Sequence, residues 1–532
     1  MQYPLLFLCV LTVADLNSQQ PKPQPEQPVF RTTTRLIQVN VVALDKKGHP
    51  VTDLKKEDFQ LFDKGKEQTI SLFSMEKKSE RKPLPKLAPG FFTNYTGLNS
   101  APNLTVILID SLNTQWGDQA QARQQIIKFL QQIKPEDRVS LMVLGRQLKV
   151  LHSFTDDRES LLKALKNWRG RNEIGGVESE DVADTGLDDI FGGASVAEAD
   201  FTQTRRIVDS LASMEAVGNY LAGTPGRKNL IWVSSGFPLQ VGFPKISSPR
   251  VMTSASSRGG PPIGPSLPRM GPGGPVRDQR TFTDEVDKAM KVLNNANVAV
   301  YPIDSRGLTI DTNANENIGT MQEFASRTGG KAFYNRNDLG SAIRQVLDET
   351  EVTYTLAFYP TSEKADGQLH DLKVKVHRPG VSIRNRKGYV ASRPEDSEKS
   401  REQQLAYSAH SPLEATALGI LAKVVKVEGK LKMELYVDPA GIYLEQEKDK
   451  EGKDRWNGRL DILLLQRDKT GTDFESSKDT LDLTLLRESY SKMLQGGLVY
   501  RKDITAHPKA EFLRIVVRDS TSTLSGSVTA KW

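Results

Sequence analysis

Residues 103–114 read NLTVILIDSLNT, and this stretch constrains the fold more than any other. Its apolar run, 104–109, ends abruptly in Asp110 and a short polar turn, and a long amphipathic segment follows. In an open α/β sheet a buried parallel strand is continuously apolar, and ligands bind outside its carboxyl end. The stretch therefore predicts a central strand that delivers Asp110 to a binding edge.

The same alternation recurs downstream. Ala122, Ile126, Phe129, Leu130 and Ile133 fall at helical spacing, predicting a helix over 118–133 that Pro135 ends. Strands are expected at 138–144 and 148–154, helices at 157–168 and 205–221, then a buried strand at 229–233 ending in Ser234-Ser235-Gly236. A helix at 282–295 leads to a strand at 298–304 that ends in Asp304. A helix at 317–327, a strand at 332–334 and a helix at 339–350 complete the pattern. Strands alternating with helices predict a doubly wound, mostly parallel α/β sheet over 103–351. Two insertions interrupt it: 170–204 is acidic and glycine-rich, and 239–279 is rich in Gly and Pro, predicting a loop with little buried apolar surface or a docking tail.

Both flanks read as β structure. Over 30–74, Ile37, Val39, Val41 and Ala43 alternate, and turns at 45–48 and 63–66 separate short strands, predicting a small β-sandwich. Residues 75–102 are expected to be a linker, 352–391 a β-hairpin unit, and 392–412 a second, charged linker. The last section, 413–532, carries short strands separated by turns and predicts an immunoglobulin-like β-sandwich.

At 532 residues the chain is too long for one core, and about three or four domains are expected. Its 72 basic and 66 acidic residues are nearly balanced, so charge points away from nucleic acid as a partner. Residues 4–14 (PLLFLCVLTVA) have the length of a secretory apolar segment and are too short to span a bilayer, although Met1-Gln2-Tyr3 lacks the usual positive charge. A signal segment at 1–18, a secreted or periplasmic location and no mature transmembrane helix follow. The only cysteine, Cys9, lies in that segment behind Leu8 rather than the small residue that lipidation favours. With the segment removed, disulfides, zinc thiolates and cysteine nucleophiles are excluded.

The order of strand-Asp110, helix, strand, strand-Ser-Ser-Gly and strand-Asp304 resembles a von Willebrand factor type A domain. The wider layout is similar to the secreted VWFA-related proteins of acidobacteria, over about residues 30–389. The most specific part is 39–70 (VNVVALDKKGHPVTDLKKEDFQLFDKGKEQTI), joined by IDSLNT, YTLAFYP and VSIRNRKGY. The resemblance implies Mg²⁺ or Ca²⁺ at the carboxyl edge, held by an Asp-x-Ser-x-Ser turn, a Thr on a second loop and an Asp on a third. Asp110 matches the first position, Leu112 stands in place of the first Ser, and Thr114 replaces the second. Ser235 stands where the third-loop carboxylate belongs, and Thr185 and Thr204 are the candidates nearest the second loop. So the metal set is Asp110, Thr114 and Ser235, a depleted one, because divalent-ion affinity depends on ligand charge and number. Ser111, Asn113, Ser234 and Asp304 complete the expected partner edge. The competing reading is that Asp110 satisfies backbone amides at the strand-to-helix turn, with Ser111, Asn113 and Thr114 capping nearby donors.

Enzymatic patterns are thin. Trp232 occupies the position of the leading Gly of a nucleophile elbow at Ser234, and His49, His152, His370, His377, His410 and His507 show no zinc-helix spacing. The expected function is an exported, non-enzymatic binding or adhesion protein that recognises a protein or envelope component. The alternatives are a metal-independent structural scaffold and a metal-assisted hydrolase built on Asp110 and Asp304.

Overall fold

The computed structural model describes residues 36–77, 87–95, 104–168, 188–237, 240–244, 277–308, 314–360, 369–390 and 397–532. The signal segment, Thr185 and most of both insertions lie outside these residues. Among the described residues no helix is long and apolar enough to cross a membrane.

The central unit is a five-stranded sheet in the order Val298–Asp304, Lys228–Ser234, Leu104–Asp110, Arg138–Leu144, Leu148–Thr155. The first four strands are parallel and the last is antiparallel. Every residue of the three strands 104–110, 228–234 and 298–304 is buried, as expected where helices cover both faces. One face packs on the helices Asp188–Leu221, Thr283–Asn295 and Ala314–Thr328, with Trp232, Leu211, Met290 and Phe324 in its core. The other packs on Trp116–Leu130, Arg158–Asn167 and Leu339–Glu349, through Ile109, Ile126, Leu161 and Ile343. Pro302 is accommodated because its strand lies at the sheet edge. Residues 332–334 form a single bridge, Ile303 to Phe333, rather than the expected strand.

The amino-terminal and 352–391 segments do not fold separately. Ile37–Leu44 pairs with Val352–Phe358, and Phe59–Asp63 pairs with Leu369–Val376. Two four-stranded sheets result, and they share one core that includes Val39, Leu61, Tyr354 and Leu356. The Tyr354 hydroxyl ties the segments together, accepting from Leu54 N (3.1 Å) and donating to Val51 O (2.9 Å). A chain of some 45 residues has too little apolar surface to close a core alone, so the strands after the α/β unit complete it.

Both expected linkers require correction. Within 75–102, Phe91–Thr93 is a strand paired with Ile420–Val427, and within 392–412, Glu398–His410 is a helix capped by Ser397. The charged start of that helix hides its apolar contact, since Leu405 and Ala409, four residues apart, pack on Leu465 and Val516. The carboxy-terminal region is again two sheets around a shared core of Leu431, Ile462, Ile515 and Val528.

Polar groups join the first two-sheet unit to the amino edge of the central sheet. Arg386 donates to Asn294 O (2.7 Å) and Gln38 O (2.5 Å), and Arg384 pairs with Glu349 (2.5 Å). Lys228 is fully buried there and donates to Thr224 O at 2.5 Å. Burial pushes its ammonium down to about 7, against the opposing influence of Glu76.

Candidate functional site at the carboxyl edge

Asp110 ends the central strand with no solvent exposure. Its Oδ1 accepts from the backbone amides of Leu112 (3.1 Å) and Asn113 (3.0 Å). Oδ2 accepts from Asn113 Nδ2 (2.9 Å), Trp232 Nε1 (3.1 Å) and Ser234 Oγ (2.7 Å). Five donors therefore surround the carboxylate, more than the four sites its lone pairs supply in ideal geometry. Burial raises its pKa above the ordinary carboxylate range, and the donors from Asn113, Ser234 and Trp232 offset part of that rise. Leu112 is buried in the same apolar core as Leu108 and Trp232.

The remaining expected residues converge on this edge but are also engaged. Ser111 donates its amide and hydroxyl to Leu144 O, both at 2.8 Å. Thr114 Oγ1 accepts from Ser235 N at 3.2 Å. The Ser235 hydroxyl lies 3.0 Å from that of Ser305, and Asn317 donates to its carbonyl at 3.2 Å. Asp304 is buried and gripped at both oxygens by Arg306, with Nε to Oδ1 at 3.0 Å and Nη2 to Oδ2 at 2.9 Å. The two-pronged, charge-assisted geometry makes this a strong pair.

Three participants escape the sequence reading. Trp232 reads as a core residue, yet its indole N–H serves Asp110. Arg306 supplies the counter-charge of Asp304. Asp118, half-buried in the first turn of the helix Trp116–Leu130, interacts with the Ser235 side chain; burial first, and then the Asp304 charge, raise its pKa. Acids favour a first helical turn because of the helix dipole, which is the one sequence signal that could have singled out Asp118. Thr204 is buried on the helix Asp188–Leu221, its Oγ1 without a hydrogen-bond partner, and no hydrogen bond links it to Asp110.

These residues do not fit a divalent cation. Such an ion needs several oxygen ligands free to turn toward it, whereas both Asp110 oxygens face donors, Asp304 is occupied by a guanidinium and the third-loop acid is Ser235. Among the described residues no group of three or more His, Cys, Asp or Glu side chains is arranged to hold a metal.

No known protein family matches the chain, and no curated protein is detectably similar to it. Some solved structures match the chain in part or along most of its length. The von Willebrand factor domain of the type V pilus tip protein Mfa5 from Porphyromonas gingivalis is 12% identical, over 47% of this chain and 94% of that one, with a TM-score of 0.28. An aerotolerance-related membrane protein from Bacteroides fragilis is 14% identical over 47% of this chain and all of its own, at 0.23. The pilus adhesin SpaC from Lactobacillus rhamnosus GG is 9% identical over 90% of this chain and 70% of its own, at 0.28. At these values the likenesses carry no argument about function. The strand order and the helices on both faces make the central unit a mostly parallel α/β sheet with Asp110 at its carboxyl edge.

Proposed function

We propose that this chain is an exported, non-enzymatic binding protein of the adhesion type, whose type A-like edge recognises a protein or cell-envelope partner without a divalent ion. The observation that carries the reading is the saturated carboxylate of Asp110. An edge whose Asp110 and Asp304 carboxylates are both buried and engaged within the fold presents no metal for a partner to complete. What it does present is apolar: Trp116, Phe201 and Leu308, from three segments at this end of the sheet, are 58%, 64% and 68% exposed. Aromatic side chains such as Trp116 and Phe201 are enriched at the cores of protein interfaces. The secreted VWFA-related proteins remain the proposed kin, and immunoglobulin-like character the proposed nature of the carboxy-terminal sheets. A purely structural scaffold shares the closed Asp110 network but gives no reason for the exposed rim.

Calorimetric titration of the purified chain with Mg²⁺, Mn²⁺ and Ca²⁺ tests the metal-free part, with Asp110→Ala as control. No binding heat is expected from either; heat from the parent that disappears in the variant overturns it. Capture of a partner from envelope extract should survive EDTA and fail for the double variant Trp116→Ser, Leu308→Ser. Loss with EDTA is the opposing result.

A further inference from the structure

Arg206 lies on the helix Asp188–Leu221 one turn before Ser210, whose hydroxyl accepts from Asn113 Nδ2 at 2.7 Å and donates to Arg206 O at 2.7 Å. Asn113 is itself bound to Asp110, so the helix brings Arg206 to the same carboxyl edge. Its guanidinium is half-buried, and its Nε is shut off from solvent without a hydrogen-bond partner. Among the described residues no acid pairs with it, and burial alone pulls its pKa below the usual arginine value. The neighbouring Arg205 is exposed and stands 3.8 Å from Asp209.

A buried charge is expensive unless it is paired. Arg306, at the same edge, follows that rule by pairing with Asp304. An arginine left half-desolvated and unpaired is poised for an anion that arrives from outside. Its planar fork matches a carboxylate, which accepts two parallel N–H bonds.

We propose that Arg206 anchors a carboxylate presented by an acidic segment of the partner. The proposal rests on the metal-free reading above, and it replaces ion-mediated capture with direct pairing to a guanidinium. The edge then combines one cationic anchor with the apolar rim of Trp116, Phe201 and Leu308.

Phenylglyoxal modification of the full chain, mapped by mass spectrometry, tests the assignment. Glutarate at constant ionic strength should slow modification of Arg206 about threefold at twice its dissociation constant, while acetamide leaves the rate unchanged and Arg205 is unaffected by either. An Arg206 rate unchanged by glutarate overturns the proposal, and stronger protection by phosphate than by glutarate overturns the carboxylate assignment. Arg206→Gln should fold with a thermal midpoint no lower than the parent's and should lose any upward shift that glutarate causes; Arg206→Lys should keep part of that shift. A lower midpoint for Arg206→Gln without glutarate would assign Arg206 a structural role instead. These readouts involve no metal, so silent calorimetry with an unprotected Arg206 sinks this inference alone, whereas metal-binding heat sinks the reading beneath it.

Discussion

Replacing Asp110 by Asn keeps the shape of the side chain and exchanges one acceptor oxygen for an NH₂ group. The remaining oxygen can still serve the amides of Leu112 and Asn113. The new amide nitrogen then faces Asn113 Nδ2 and Trp232 Nε1, two donors that cannot reverse their role, whereas Ser234 can rotate its hydroxyl and accept. A buried donor left without a partner costs about 1–3 kcal/mol, so the two together cost about 2–6 kcal/mol. If Asp110 is a structural hub, Asp110→Asn loses that stability to urea equally in Mg²⁺ and in EDTA. Equilibrium unfolding followed by tryptophan fluorescence reads it out, since Trp232 is at the lesion. A variant as stable as the parent refutes the reasoning, and so does a loss seen only with Mg²⁺ present.

Two further predictions concern the joints of the molecule. Lys228 has a folded-state pKa of about 7, below the ordinary lysine value of 10.5, so the unfolded chain holds more protons between these limits and stability rises with pH. The gain from pH 7 to pH 9 is about 2 kcal/mol, and Lys228→Met should lack it; equal pH slopes for the two proteins would refute this. Tyr354→Phe removes the hydroxyl shared by Leu54 and Val51 and should cost about 1–3 kcal/mol. Amide exchange should quicken first at Leu54, and unaltered exchange there would count against the tie.

Much of the central unit is written locally. The largely apolar runs at 104–109, 230–233 and 298–303 announce strands buried on both faces, and the structure places all three side by side. Leu112 and Ser235 already stand in the sequence where the resemblance puts metal ligands. The donors themselves were not legible. Trp232 and Ser234 share a face with Asp110 because the parallel strands align Leu108 with Trp232 and side chains alternate along each. That register is a property of the sheet. Arg306 curls back on Asp304 through a turn that two residues of sequence do not specify.

What the sequence determined by itself was therefore the periodicity: where strands and helices form, and that Asp110 ends a buried strand. What the tertiary structure decided was partnership. Residues 37–77 find their pairs at 352–390, Phe91–Thr93 joins a sheet more than 300 residues away at Ile420–Val427, and Asp110 finds its donors across a strand boundary. Local pattern follows from the chain's own geometry. Long-range pairing depends on which apolar faces are left uncovered once the local elements exist, and only the folded whole settles that.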